Sequence, residues 1–257
     1  MSTTTALPKA PPAATGFRIY HPTVARLTAR GLLGRRRALL LLALPMLLLV
    51  IAVAVRGLSQ PDDTTANDIL QGFALSAMVP LIGVIAGTGA IGPEIDEGAI
   101  VYLLAKPIRR STIILTKLLV AIGVTMAFSA VPTLLAGVVL DGDSQNLAVA
   151  YAIAAAVASV AYAAIFLLLG VITRHAVVVG LVYALVWETV IGNIVPGAQT
   201  LSVQQWSLAV AGKLAHGGLV DSAVSLSTGI TLLVVVTVVT TWFASHRLRL
   251  LKPVGEE

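Results

Sequence analysis

The sequence predicts an all-α polytopic membrane protein with six transmembrane helices, and three observations carry that prediction. Hydrophobic residues fill 57% of the 257 positions and charged residues only 11%, against about 25% charged in a soluble domain. The charges are clustered, and the chain between clusters stays apolar for roughly 20 residues, the length that crosses a bilayer as a helix. Finally, Lys and Arg fall unequally in alternate loops, as they do when one side of a membrane retains them.

Met1 to Thr15 is rich in Thr, Ala and Pro without apolar periodicity and reads as a disordered tail, with the tail boundary set at residue 22 and a single transmembrane domain over 23–257. No secretory signal is expected. The first apolar run begins near Ala38, behind a long basic stretch, and exceeds a signal core. The spans are predicted at 38–55, 69–91, 118–140, 147–172, 176–194 and 226–243. Membrane strands are excluded because the runs do not alternate and are too long. Pro45, Pro80 and Pro132 lie inside spans and are expected to kink them. Gly83 and Gly87 form a small-xxx-small step that lets two helices approach closely.

Orientation follows from the cations. Fifteen lie in the N-terminal segment, the loop between the second and third spans (Lys106, Arg109, Arg110, Lys117), Arg174 and the C-terminal tail, whereas only Arg56 and Lys213 lie on the other side. This split puts both termini in the cytoplasm and requires an even number of spans. The net charge of +5 is then accounted for by retained cations facing anionic lipid, with no nucleic-acid partner.

Two cytoplasmic segments are patterned. In Thr23–Arg37, Val24, Leu27, Thr28 and Leu32 share one helical face and Arg26, Arg30 and Arg37 the opposite one. That suits an interfacial helix with arginines at lipid phosphates and leucines at acyl chains. The arginines also serve as topology signals. The second segment runs from Gly92 to Ser111. Pro93 suits a first helical turn, Glu94, Asp96 and Glu97 match the positive end of the helix dipole, and Pro107 stops the helix after Lys106. Ile95, Ala99, Tyr102 and Leu103 make an apolar stripe. The segment is either a docking surface for a cytoplasmic partner or a helix resting on the bilayer, and its acidic start, which anionic lipid repels, favours docking.

Several chemistries are excluded or unsupported. With no cysteine there are no disulfides, thiol catalysis or Cys-ligated metals. The Gly212-Lys213 pair has Ser207 where a P-loop needs its first glycine. His21, His175, His216 and His246 are scattered, so no catalytic residue, cofactor or metal site is assigned. Glu188 is an acid inside a span and must face the bundle interior or a cavity. It is a candidate for a translocation path with Trp187 and Asn193, or a hydrogen-bonded structural acid beside Asn193 or Thr189. In the outer loop from Pro196 to Ser225, Val203–Leu214 reads as a short helix with Trp206 at the membrane interface.

The stretch Glu94-Ile-Asp-Glu-Gly-Ala-Ile-Val-Tyr-Leu-Leu-Ala-Lys-Pro-Ile-Arg-Arg resembles the E-x-x-E-G-T-I-x-x-L-L-x-K-P-I-S-R pattern of bacterial ABC export permeases of the type-2 class. Ala99 and Arg109 depart from it, standing where the family often has Thr and Ser. The basic segment from Arg26 to Arg37 is similar to the family's lead-in to its first span. The local motif is confined to Glu94–Lys117, while the topology is shared over most of the chain. The resemblance implies six helices per subunit paired into a dimer in the bacterial plasma membrane, an elbow helix over Thr23–Arg37 and a coupling helix over Pro93–Ala105. It also implies a separate ATP-binding subunit that holds ATP and Mg and pushes on the coupling helix. Glu94, Asp96, Glu97, Gly98, Tyr102, Lys106, Pro107 and Arg109 become candidate coupling residues, and the outer loop becomes an external gate. The expected function is the permease of an ATP-driven exporter of an amphipathic or hydrophobic substrate, with helices tilting about Pro80 and Pro132. The alternative is a proton-coupled secondary transporter using Glu188.

Overall fold

Glycine marks some helix breaks in this chain, whereas Pro45 and Pro132 lie inside unbroken helices. The structure, a computed structural model, describes residues 20–58, 62–96, 110–141, 146–191 and 197–250, and among these there is no strand. Helix α1 (Pro22–Leu32) opens with proline at its first turn, where a missing N–H costs nothing. A break at Leu33–Gly34 separates it from α2 (Arg35–Leu58). Arg37 therefore belongs to α2 and not to the interfacial helix predicted over Thr23–Arg37, because Gly34 ends the first helix before it. The predicted stripe also divides. Val24, Thr28 and Leu32 are buried, together with Ala25, while Leu27 is 58% exposed beside Arg26 and Arg30. The stripe thus packs on protein, chiefly on the helix Arg110–Asp141, and leaves one leucine outside.

Helix α3 (Asp63–Ile69) is capped by Asp62, which accepts from Thr65 N and from the Thr64 and Thr65 hydroxyls. It runs into a π-helical segment, Leu70–Met78, and then α4 (Val79–Gly89). Pro80 has no N–H to give, and the carbonyl of Ser76, four residues earlier, accepts the Thr189 hydroxyl at 3.3 Å from another helix. Helix α5 (Gly92–Asp96) follows, then α6 (Arg110–Asp141), α7 (Leu147–Ile172) and α8 (Ala176–Val182). A second π-helical segment, Tyr183–Ile191, continues α8. A 3-10 turn (Ala198–Leu201), α9 (Val203–Leu214) and α10 (Leu226–Leu250) complete the described chain.

Among the described residues, five helices are long and apolar enough to cross a membrane: Arg37–Leu58, Asp63–Gly89, Ser111–Leu140, Leu147–Ile172 and Leu226–Leu248. The predicted fifth span, 176–194, corresponds to a shorter apolar helix, Ala176–Val190. The third span begins earlier than predicted, so Lys117 is a helical residue within it and not part of the preceding loop.

Helix α7 is the hub, touching α4, α6, α8, α9 and α10. Its composition explains this. Alanines along α7 keep it thin, and most of it is buried, whereas little of α10 is. The small-residue step works as predicted. A Cβ on Gly83 would sit 2.9 Å from Tyr162 Cβ, and one on Gly87 2.6 Å from Phe166 Cβ, so α4 lies directly against α7. Ser129 and Ser159 join α6 to α7 by a buried hydrogen bond of 2.8 Å. The outward flanks of α2 and α10 carry exposed Leu39, Leu47, Val50, Val234 and Val238, the expected surface toward lipid tails. Arg56, one of the two cations on the sparsely charged side, donates to the Leu140 carbonyl at the end of α6.

Candidate coupling site

A helix that ends inside a protein leaves carbonyls without partners, and a cation nearby answers both their lone pairs and the negative end of the dipole. Helix α4 ends this way twice. Arg37 Nη1 donates to Gly89 O at 3.2 Å, and Lys117 Nζ donates to Ala90 O at 2.6 Å. Lys117 is completely buried. An ammonium there must use all three of its N–H groups, and it does. The second goes to Glu94 Oε1 at 2.6 Å and the third to Thr28 Oγ1 at 3.4 Å. One side chain on α6 thus ties together α1, the end of α4 and α5.

Neighbouring contacts reinforce the junction. The His21 N–H donates to Thr116 Oγ1, which itself donates back to Thr112 O within α6. Glu94 is half-buried, with 28% of its side chain exposed. Its second oxygen, Oε2, is buried with no hydrogen-bond partner among the described residues.

Sequence reasoning placed Glu94 in a row of partner contacts. The structure turns it inward to Lys117. Of the other predicted coupling residues, Asp96 ends α5 but its side chain is not described, and Glu97, Gly98, Tyr102, Lys106, Pro107 and Arg109 lie outside the described residues. Arg26 and Arg30 are exposed on α1. Lys117 was missed as a site residue because it reads as one more cation in a basic loop. The available signal was that it stands seven residues into a helix starting at Arg110.

The opposite end of the bundle holds the second buried charge. Glu188 lies on the second π-helical segment, fully buried. Its Oε1 accepts from Tyr183 Oη at 2.8 Å and Val203 N at 3.2 Å, and its Oε2 from Ser202 Oγ at 2.6 Å and Gln204 N at 3.3 Å. These backbone donors are the first N–H groups of α9, so a carboxylate caps a helix from another part of the chain. Trp206, expected at the membrane interface, is buried, and its indole N–H donates to Thr200 O. Its hydrogen bond closes the turn before α9, which is why it turns inward. Trp187 is half-buried, and Asn193 lies outside the described residues. Phe166 on α7 meets Tyr183 edge-on, with ring centroids 5.9 Å apart, and stacks on Tyr162.

A family model of ABC-2 family transporter proteins matches residues 33–243, from the break before α2 to near the end of α10. The chain belongs to the ABC-2 transporter family. No curated protein matches it. Membership makes this ABC-2 chain a membrane-embedded transport component, of a kind that works with an ATP-binding subunit. The matched region contains both buried charges and their partners, except Thr28 on α1, which precedes it.

Proposed function

We propose that the chain is the permease subunit of an ATP-driven exporter, energised by a separate ATP-binding subunit that docks on the segment 93–105. The observation that carries this reading is the junction at Lys117, which fastens the start of that segment to three other elements of an ABC-2 chain. Force applied to Glu94 and its neighbours reaches the long helix α6 through a buried ion pair and reaches α1 through Thr28. In this reading α1 is the elbow, Ala176–Val190 contributes the fifth of six crossings, both termini are cytoplasmic, and two permease subunits pair in a bacterial plasma membrane. ATP and Mg are held by the partner.

The substrate is an amphipathic or hydrophobic molecule. Supporting this, the buried hydroxyls of Thr125, Ser129 and Thr133 are turned back on their own helix carbonyls and leave few free polar groups along the spans. Trp187 and Asn193 remain the candidates beside its route. Glu188 holds α9 in place, since both its oxygens already accept two donors each.

Purification of the tagged chain from its native host tests the reading. A stoichiometric ATPase should come with it and be lost when Asp96 and Glu97 become Ala, residues outside the Lys117 pair. Absence of any ATPase, together with proton-coupled transport abolished by Glu188→Gln, would overturn it.

A further inference from the structure

A cavity of about 220 Å³ opens between the start of α2, the α4–α5 junction and the turn from α7 to α8. Two guanidinium groups, Arg37 and Arg174, line it together with the apolar side chains of Leu40, Ile85 and Val177. Among the described residues no acidic side chain lines it, and neither arginine pairs with a carboxylate. Arg37 gives one N–H to Gly89 O, and a guanidinium has five. Arg174 is exposed. The position of the cavity is as informative as its lining. Candidate span Arg37–Leu58 begins at its rim, Asp63–Gly89 ends there, and Leu147–Ile172 ends just before Thr173, another lining residue. The cavity therefore sits at the depth where a bilayer's hydrocarbon gives way to headgroups.

Two cations with no acid among their described neighbours select an anion, and a pair of guanidinium forks suits the oxygens of a phosphate. The apolar walls select something more than a free ion. Leu40 is 58% exposed and Val177 51%, so an apolar surface runs outward from the cations along helices α2 and α8. The volume is below the roughly 300 Å³ of pockets that enclose whole drug-sized ligands. It fits a headgroup whose tails lie outside.

We propose that this cavity binds the phosphate headgroup of an anionic phospholipid, with Arg37 and Arg174 on the phosphate and the acyl chains along Leu40 and Val177. The site needs only the membrane embedding of the chain and does not depend on the ATP-binding partner. Inorganic phosphate shares the headgroup chemistry but not the apolar contact, so the two sources can be separated.

The test is native mass spectrometry of the purified full chain in detergent, titrated with phosphatidylglycerol, phosphatidylcholine or inorganic phosphate. The wild type should retain phosphatidylglycerol about tenfold more tightly than phosphatidylcholine and show no comparable retention of phosphate. Arg174→Gln, at an exposed position, should abolish that preference. Val177→Trp, which keeps both charges but fills the cavity, should also abolish it. Arg247→Gln, exposed near the end of α10 and outside the cavity, should leave it intact. Unchanged preference in Arg174→Gln overturns the proposal, as does equal retention of phosphate alone. An Arg247→Gln effect as large as that of Arg174→Gln also overturns it, by showing attraction to general surface charge. If Val177→Trp does not fold, the comparison of Arg174→Gln with Arg247→Gln decides.

Discussion

The two ends of this bundle solve the same problem with opposite charges. At the basic end a buried cation, Lys117, gathers the carbonyl that α4 leaves unpaired, with a hydroxyl and a carboxylate. At the other end a buried anion, Glu188, gathers the first N–H groups of α9, with two hydroxyls. Each charge sits at the helix terminus whose dipole favours it. The two differ in reach. Lys117 draws together elements up to 89 residues apart in sequence, whereas Glu188 holds donors from Tyr183 and from 14 to 16 residues ahead. The first network is a joint between segments, and the second is a clasp within one region. A joint carries motion between elements, and a clasp fixes a local shape.

The largest expected effect follows from breaking the joint. Lys117→Met keeps the side chain's length and removes its charge, leaving Glu94 and Ala90 O without their donor. Such a broken buried pair costs about 3–5 kcal/mol, read as a lowered thermal midpoint of the detergent-solubilised chain. Opening the clasp costs less. Glu188→Gln keeps an acceptor but loses the charge and one accepting oxygen, at about 1–3 kcal/mol. Its signature is local, namely faster proteolysis within 197–225 with little change elsewhere. If instead Glu188→Gln destabilises the whole chain as much as Lys117→Met, the distinction between joint and clasp fails.

Two smaller effects lie outside both networks. Gly87→Ala places a methyl 2.6 Å from Phe166 Cβ and should cost about 1–3 kcal/mol through separation of α4 from α7, measured by the same thermal midpoint. The smallest concerns Asp62, whose pKa is lowered to about 2, first by the Thr65 hydroxyl, then by the Thr65 N–H and the Thr64 hydroxyl. A carboxylate depressed on folding adds stability above its unfolded pKa of about 3.9 and loses it as pH falls toward the folded value. The wild type should therefore lose more of its thermal midpoint between pH 6 and pH 3 than Asp62→Asn does.

Much of the fold was legible because it rests on local pattern. The span at Leu147–Ile172 and the short helix Val203–Leu214 were readable to the residue, and the Gly83–Gly87 step pointed to a close helix contact. What was not legible depends on tertiary contact. The π-helical segment at Tyr183–Ile191 has an ordinary apolar sequence, and nothing in its periodicity distinguishes it from a regular α-helical span. Lys117 reads as a loop cation because its partners lie 23, 27 and 89 residues away. Glu188 was visible as an unusual acid, but the donors that surround it come from a turn that only the folded chain brings back. The break at Leu33–Gly34 had a signal in Gly34, outweighed by the continuous basic run around it.

In the proposed function, Lys117 transmits the action of an ATP-binding partner to the spans. The chain has no cysteine, so a pair introduced at exposed Leu27 on α1 and exposed Leu201 before α9 takes spin labels uniquely. The decisive measurement is the distance between them in the complex with the partner, with and without ATP. The distance should change with ATP in the otherwise unaltered chain and stay fixed when Lys117→Met is added. An equal ATP-driven change in the Lys117→Met complex would contradict the account.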